Sequence, residues 1–384
     1  MSLFTGLIIA YIAVFSLLHG SLFAGVLWER AREKRRLRHN GGAPVSRVSV
    51  VIPVRNEEAL LPALLAGLEA QTWPDIEFFF IDDGSTDASP ALLEDFKRRC
   101  GFPVTIITRE ENVLEDGQRD GGFVNRKQRA LSYGIAQAQG SVLLFTDADC
   151  EVGPDWVRVM AQNVHAENIG VVLGPVYKAA DAHGVLYDYQ RFDHVVRGMY
   201  IAAAAGLGAA GGGFGNNIAV RKEALDAAGG YESVPPSVTE DAAMISLIRK
   251  NTGYTVHAVY DPATHVFTRC EPTWRRLVNQ TLRWHHGGLF SPDAVTALSF
   301  GVLALLYFLC ALCFPLAVIH PPFLIVPAAV FLVIVLGNLP VKIYAGKSFP
   351  LKLPAYLFHS FFMEYFFTWL TVLSVIGKKP DWKR

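Results

Sequence analysis

Two carboxylates one residue apart, Asp147 and Asp149, close the apolar run Val142-Leu143-Leu144-Phe145. A short apolar run with polar borders predicts a buried strand. In extended backbone, residues two apart point to the same side, so both carboxylates would face one place. Such a pair either repels or shares a hard divalent cation, which carboxylates hold together with substrate phosphates. Aspartate is also common in turns, and taken alone the pair reads more readily as a strand-to-loop turn.

The elements upstream give the pair a context. Segments 47–53, 77–81 and 104–107 are apolar and strand-like, and they alternate with helical patterns over 59–70 and 92–98. The first strand is expected to stop at Pro53. Alternation of this kind predicts a parallel sheet with helices on its faces, whose ligands bind at the carboxyl ends of strands. Arg55-Asn56-Glu57, Asp82-Asp83 and Asp147-Ala148-Asp149 then fall on one edge. An acidic residue just past a parallel strand can accept hydrogen bonds from a base or ribose. No Gly-rich phosphate loop of the Walker or dinucleotide type is present, so phosphates would need a metal and basic side chains. A helix over 125–138 carries Arg126, Lys127 and Arg129; its basic face is either solvated or sets Lys127 near a diphosphate. The charged, Gly-bearing stretch 110–122 reads as a surface loop.

Downstream, Val238-Thr239-Glu240-Asp241 reads as the start of an amphipathic helix. Thr239 is its expected cap, and the carboxylates sit at the positive end of the helix dipole. Over 273–285 a helical pattern puts Gln280, Arg283 and Trp284 at i, i+3 and i+4 on one face. That cation and aromatic suit a diphosphate and the floor of an acceptor groove, or an ordinary membrane-interface anchor. Between these lies the Ala- and Gly-rich stretch 202–217, with Phe214 and Gly215, whose glycines allow close backbone approach. Gly229-Gly230-Tyr231 precedes the acidic pair.

Lys plus Arg and Asp plus Glu both number 35 among 384 residues, so global charge argues neither for nor against nucleic acid. Hydrophobic content of 51% and mean hydropathy of +0.27 are high for a soluble protein, and the excess is localised. Residues 3–27 are apolar without a charge, long enough for a bilayer core of about 30 Å, and a basic cluster from Arg30 to Arg38 follows. By the positive-inside rule the chain enters the cytoplasm at about residue 30; the basic run reads as orientation and lipid-headgroup contact rather than as a nucleic-acid patch. Further apolar stretches at 295–319, 322–341 and 354–376 bring the expected crossings to four, with the lysines on either side of the last one straining the charge rule. Glu364 and His359 lie inside that last stretch, where ionisable groups face a cavity or partner. The five cysteines show no paired zinc spacing.

In order along the chain, Val-Ile-Pro-Val-Arg-Asn-Glu, Asp-Asp-Gly-Ser-Thr-Asp, Asp-Ala-Asp, Thr239-Glu240-Asp241 and Gln280-Thr-Leu-Arg283-Trp284 resemble the family 2 glycosyltransferases with the GT-A fold. The resemblance covers about residues 48–284. The last motif is similar to that of the membrane-bound branch with ceramide glucosyltransferase and the cellulose, chitin and hyaluronan synthases. The resemblance implies an α/β GT-A nucleotide-sugar-binding domain with a mostly parallel central sheet, flanked by transmembrane helices. It implies nucleotide binding by Pro53, Arg55, Glu57, Asp83, Lys127 and Asp147, and Mg²⁺ or Mn²⁺ on Asp149 and Asp147. Asp241 becomes the general base; Glu240, Gln280, Arg283, Trp284, Phe214 and Gly215 serve the acceptor or diphosphate. Relatives often carry a Gly just ahead of the helical Lys, whereas this chain reads Phe123-Val124-Asn125-Arg126-Lys127, so Arg126 or Arg129 is an alternative to Lys127.

The expected organisation is a transmembrane helix at 1–28, a basic linker at 29–46, a cytoplasmic GT-A domain at 47–290, a membrane region of about three helices at 291–377 and a basic tail at 378–384. The leading expectation is an inverting, metal-dependent enzyme of the inner membrane, moving a sugar from a nucleotide-sugar donor, such as a UDP-sugar, to a membrane lipid. A short processive synthase acting on a growing glycan is the alternative, and an inactive membrane scaffold the third reading. Nucleic acid is not an expected partner.

Overall fold

The computed structural model describes residues 3–39, 46–108, 126–166, 168–179, 182–345 and 352–377. The charged stretch 110–122, the departure at 123–125, residues 40–45 of the basic linker and the tail at 378–384 lie outside the described residues, while residues 29–39 of that linker continue the first helix. Two compact units form, one from residues 29–180 and 208–269, the other from residues 1–28, 181–207 and 270–384. Segments 181–207 and 270–290, inside the domain expected at 47–290, thus belong with the apolar helices.

Helix α1 (Leu3–His39) opens the chain. The first unit then runs β1 (Val48–Val54), α2 (Leu61–Glu69), β2 (Ile76–Asp82), α3 (Ser89–Arg99), β3 (Val104–Thr108), α4 (Arg126–Gln137), β4 (Val142–Phe145), β5 (Cys150–Val152), α5 (Trp156–Val164), β6 (Ile169–Leu173) and β7 (Val176–Ala179). Helix α6 (Val185–Gly206) belongs to the second unit. The first resumes with β8 (Ile218–Arg221), α7 (Lys222–Ala227), α8 (Glu240–Asn251), β9 (Thr255–Ala258) and β10 (Val266–Arg269). The second closes the chain with α9 (Trp274–Leu289), α10 (Ala294–Ile319), α11 (Ile325–Gly337), α12 (Val341–Ala345) and α13 (Leu353–Val375).

The central sheet has the order β3-β2-β1-β4-β8-β6-β9. Pairing is parallel throughout except at β8, which runs against both β4 and β6. The sheet is therefore mostly parallel, as expected, and its strands are apolar on both faces because helices cover both. Val48, Val50, Ile52, Phe78 and Phe80 pack with Leu64, Leu68, Phe96 and Trp156 in one buried cluster. A second, three-stranded sheet, β5-β10-β7, follows the Asp147–Asp149 turn.

Two local expectations are corrected. Strand β1 continues through Pro53 to Val54. The Asp83 N–H donates to the Val54 carbonyl at 3.0 Å, so the alternating backbone turns Pro53 to the other side. There the partner strand β4 has already ended, opposite Val51, and the missing N–H of proline costs nothing. Strand β4 does stop at Phe145, but Asp147 and Asp149 lie in a turn closed by Cys150 N–H on the Asp147 carbonyl at 3.1 Å. The extended geometry expected for the pair does not hold, and other contacts orient the two carboxylates.

In the helical unit, α1 and α10 are long and apolar enough to cross a membrane. Helix α11 has 13 residues after a four-residue 3₁₀ turn and spans about 20 Å at 1.5 Å per residue, short of a bilayer core. Helix α13, with 23 residues, carries buried Glu364 and His359 and does not join α1 and α10 among the candidate spans. Two helices among the described residues thus have the length and hydropathy of a crossing, where the sequence led to an expectation of four.

Candidate active site

The loops after β1 and β2 hold each other. Asn56 adopts φ of 53°, and its side-chain oxygen accepts the Thr86 N–H at 2.8 Å; its own N–H donates to Ser85 Oγ at 3.0 Å. The Glu57 N–H donates to Ser89 Oγ at 2.9 Å. Asp83, at the end of β2, is buried and ringed by guanidinium groups. Arg126 Nε lies 3.0 Å and an Arg55 nitrogen 3.8 Å from Oδ2, and an Arg129 nitrogen lies 3.5 Å from Oδ1. Arg126 and Arg129, raised from the sequence as substitutes for Lys127, instead surround the expected base- or ribose-binding carboxylate.

Lys127 comes from the first turn of α4, which packs on β1 and β2. Its ammonium lies 2.7 Å from Asp147 Oδ1 and 3.6 Å from Glu240 Oε1. Burial works against its charge, but Asp147 and then Glu240 outweigh it and raise its pKa. The neighbouring residue Gln128 is buried; its side-chain N–H donates to the Val234 carbonyl at 3.3 Å. It thereby ties α4 to the segment leading into α8. Lys127, Asp147 and the acidic pair of α8 are therefore brought together from three separate stretches.

At the start of α8, Thr239 does not cap through its side chain; its N–H is taken by Ser237 Oγ at 3.1 Å. Asp241 is half-buried, and its Oδ1 accepts the Ala242 N–H at 2.8 Å. Burial first, then the Glu240 charge, pushes the Asp241 carboxyl up to about 7, with Lys127 pulling the other way. Gly215 lies against this carboxylate: a Cβ there would stand 2.9 Å from Asp241 Oδ2. Phe214 is half-buried against the hydrophobic core. Glu57 is raised to about 7 by burial and by the charges of Asp149, Asp147 and Asp87.

Asp149 is oriented by the second sheet. Thr268 of β10 donates to Asp149 Oδ2 at 3.2 Å, and the Cys150 thiol reaches Oδ1 at 3.5 Å. The Lys178 charge on β7 counteracts burial and Asp147, which together raise the Asp149 carboxyl. Sequence reasoning missed Thr268 and Lys178, since only the β5-β10 and β7-β10 pairings set them beside a turn 119 and 29 residues away, respectively. Asn217 was also missed. Its amide donates to the Pro175 and Thr264 carbonyls, both at 2.8 Å, and accepts from Trp156 Nε1 at 3.0 Å.

Asp147 and Asp149 are hard oxygen donors of the kind Mg²⁺ and Mn²⁺ take. Among the described residues no three His, Cys, Asp or Glu side chains gather as a metal group. The site thus fits a cation whose remaining ligands are substrate oxygens rather than an all-protein cage.

Gln280, Arg283 and Trp284 all lie on α9 of the helical unit. Gln280 Nε2 donates to Glu271 at 3.1 Å. Glu271 is itself held to α6, its N–H donating to Gln190 at 2.7 Å and its carbonyl accepting from Gln190 at 2.9 Å. Trp284 packs beside His194, with the Arg197 guanidinium 5.3 Å above its ring. The aromatic of this motif is thus engaged by a cation from α6. Arg283 is half-buried.

The carboxyl-edge acidic loops, the small second sheet and the mostly parallel sheet define a glycosyltransferase fold of the GT-A type. The same fold is found in a mannosyltransferase from Pyrobaculum calidifontis solved with GDP-Man and Mn²⁺. That chain is 18% identical with a TM-score of 0.54, over 96% of this chain and all of the other. The model for glycosyl transferase family group 2 matches residues 142–374, and that for glycosyl transferase family 2 matches residues 49–229. This chain belongs to glycosyl transferase family group 2, a family of glycosyltransferase enzymes. Beta-monoglucosyldiacylglycerol synthase of Nostoc sp. is 26% identical over 69% of this chain and 53% of that protein. Undecaprenyl-phosphate 4-deoxy-4-formamido-L-arabinose transferase of Pseudomonas fluorescens is 36% identical over 31% of this chain and 33% of that protein. The chain spans about half the length of the first relative and a third of the second.

Proposed function

We propose that this protein transfers a sugar from a nucleoside diphosphate sugar to a hydroxyl of a membrane lipid, with inversion at the anomeric carbon. The observation that carries the reading is the meeting of Asp147, Lys127, Glu240 and Asp241 around one point, with Lys127 Nζ at 2.7 Å from Asp147. Asp83, Arg55, Pro53 and Glu57 form the nucleotide end. A divalent cation on Asp147 and Asp149, Mg²⁺ or Mn²⁺, supplies charge neutralisation of the diphosphate leaving group. Lys127 adds a fixed positive charge beside it. Asp241 takes the proton of the acceptor hydroxyl, whose oxygen attacks the anomeric carbon opposite the departing diphosphate. A base poised near 7 suits that role, and a single base suffices because no enzyme nucleophile is formed.

The lipid acceptor is supported by the names of the two relatives, one a diacylglycerol glycolipid synthase and the other an undecaprenyl-phosphate transferase. It is also supported by the two helices long and apolar enough to cross a membrane. With the basic cluster after α1, these favour an integral inner-membrane protein with a cytoplasmic catalytic unit. Gln280, Arg283 and Trp284 are read as the Gln-X-X-Arg-Trp element of the membrane-bound branch, serving acceptor or diphosphate.

The test is a panel of labelled nucleotide sugars given to purified protein with native membrane lipid. A single organic-extractable product that Asp241→Asn abolishes is expected, with kcat/KM rising as pH passes through about 7. A ladder or high polymer would refute the single lipid transfer and establish the processive alternative. Full activity of Asp241→Asn would remove Asp241 from the base role.

A further inference from the structure

Beside Asp241 lies a small cavity with about 10 Å³ of space, whose lining includes Leu131, Phe145, Gly215, Tyr231, Glu240 and Asp241. That is the space of one water molecule, and a buried water needs two to four polar partners. Three polar side chains line it. Tyr231 is 5% exposed, and among the described residues its hydroxyl has no hydrogen-bond partner. Two successive glycines of positive φ, Gly229 at 104° and Gly230 at 76°, turn the chain so that Tyr231 enters here. A buried phenol hydroxyl with no partner is an exception that calls for a missing one. Glu240 and Asp241 both act on this hydroxyl electrostatically.

We propose that the cavity holds one ordered water that accepts a hydrogen bond from the Tyr231 hydroxyl and donates one to the Asp241 carboxylate, making Tyr231 a positioning residue for the base. The water holds the carboxylate from the cavity, while Ala242 N–H fixes Oδ1 at 2.8 Å from within the helix. A donor to the charged form favours ionisation, so the relay keeps Asp241 ready to accept a proton. In the step it serves, the acceptor O–H proton passes to Asp241 and the acceptor oxygen bonds to the anomeric carbon. The bond from that carbon to the diphosphate breaks, and its electron pair leaves with the diphosphate. The other groups that act on Asp241 are Glu240 on its own helix, Lys127 of α4 and Asp147 of the β4–β5 turn; all of them remain in the variants below.

The proposal rests on Asp241 as the base, and the experiment separates the two. Tyr231→Phe keeps the ring and removes the donor. The acid limb of kcat/KM is expected to move up by about half to one pH unit. Activity at pH 6 then falls about 3- to 10-fold and converges with wild type above about pH 8.5, at unchanged donor KM. Leu131→Phe fills the cavity while leaving the Tyr231 hydroxyl in place. It is expected to give the same shift, with no further shift in the double variant, and it carries the test if Tyr231→Phe folds poorly. An acid limb that stays at the wild-type pH in both variants overturns the relay, as does an equal loss at every pH. If Asp241→Asn is inactive and the limb does not move, only the relay fails. If Asp241→Asn is active, the base assignment fails and the relay with it.

Discussion

Gly215→Ala tests the packing around the proposed base with one added methyl group. The backbone of Gly215 lies outside the left-handed region, so alanine brings no strain of its own. The new Cβ would stand 2.9 Å from Asp241 Oδ2 and 3.3 Å from Asp241 Cβ and Cγ, against ordinary contact from 3.4 Å upward. The carboxylate must retreat by about half an ångström. Catalytic groups must be held within about 0.5 Å of their productive position, and 1 Å of misplacement costs on the order of 10²-fold. A loss of about 10-fold in kcat is therefore expected, or about 1.4 kcal/mol of barrier. Donor KM should change less than twofold, because Asp83 and its arginine ring are untouched. The assay is initial-rate transfer from a labelled nucleotide sugar in detergent or nanodiscs, with nucleotide binding and melting temperature as controls. A kcat within twofold of wild type, in a protein that melts normally, would show that Asp241 is not held against Gly215 during turnover.

Two further outcomes follow from other contacts. Thr268→Val removes the hydroxyl that donates to Asp149 at 3.2 Å; manganese affinity, read by electron paramagnetic resonance titration at fixed nucleotide, should fall about 10-fold, while Thr268→Ser should restore it. Glu29 is fully buried and accepts from His257 Nδ1 at 2.9 Å and from the Ala258 N–H on edge strand β9 at 3.2 Å. Removing it by Glu29→Ala takes the acceptor from the Ala258 N–H and the ion-pair partner from Arg36, 3.2 Å away, and should destabilise the protein by about 3–5 kcal/mol, seen as a lowered melting temperature; an unchanged melt would mean the contact contributes nothing.

The strands at the carboxyl edge were readable because each is a continuous apolar run ending in polar residues, and a parallel sheet leaves no other place for those ends. Asp83 and Asp147 were readable for the same reason, and Asp241, in the first turn of a helix, from the order of the motifs. What orients them was not. Thr268 is an ordinary strand residue in sequence, and nothing local marks it as the partner of Asp149. Thr239 has the composition of a cap, yet its N–H goes to Ser237 and its side chain caps nothing. Pro53 looks like a strand end and is not one, because the neighbouring strand is shorter. The apolar character of the last third was plain, but residue counts alone could not distinguish the 26-residue α10, which continues through Pro315, from the 13-residue α11, which starts only after the Pro321–Leu324 turn.

By itself, the sequence determined the alternation of strands and helices, the acidic strand ends and the apolar segments, since these follow from local periodicity and composition. Tertiary structure alone decided that β8 runs antiparallel, that a separate three-stranded sheet lies behind Asp149, and that α6 and α9 join the apolar helices. It also formed a water-sized cavity beside Asp241. Each of these depends on which distant segments bury against one another, and burial is a property of the folded chain that no single stretch of residues carries.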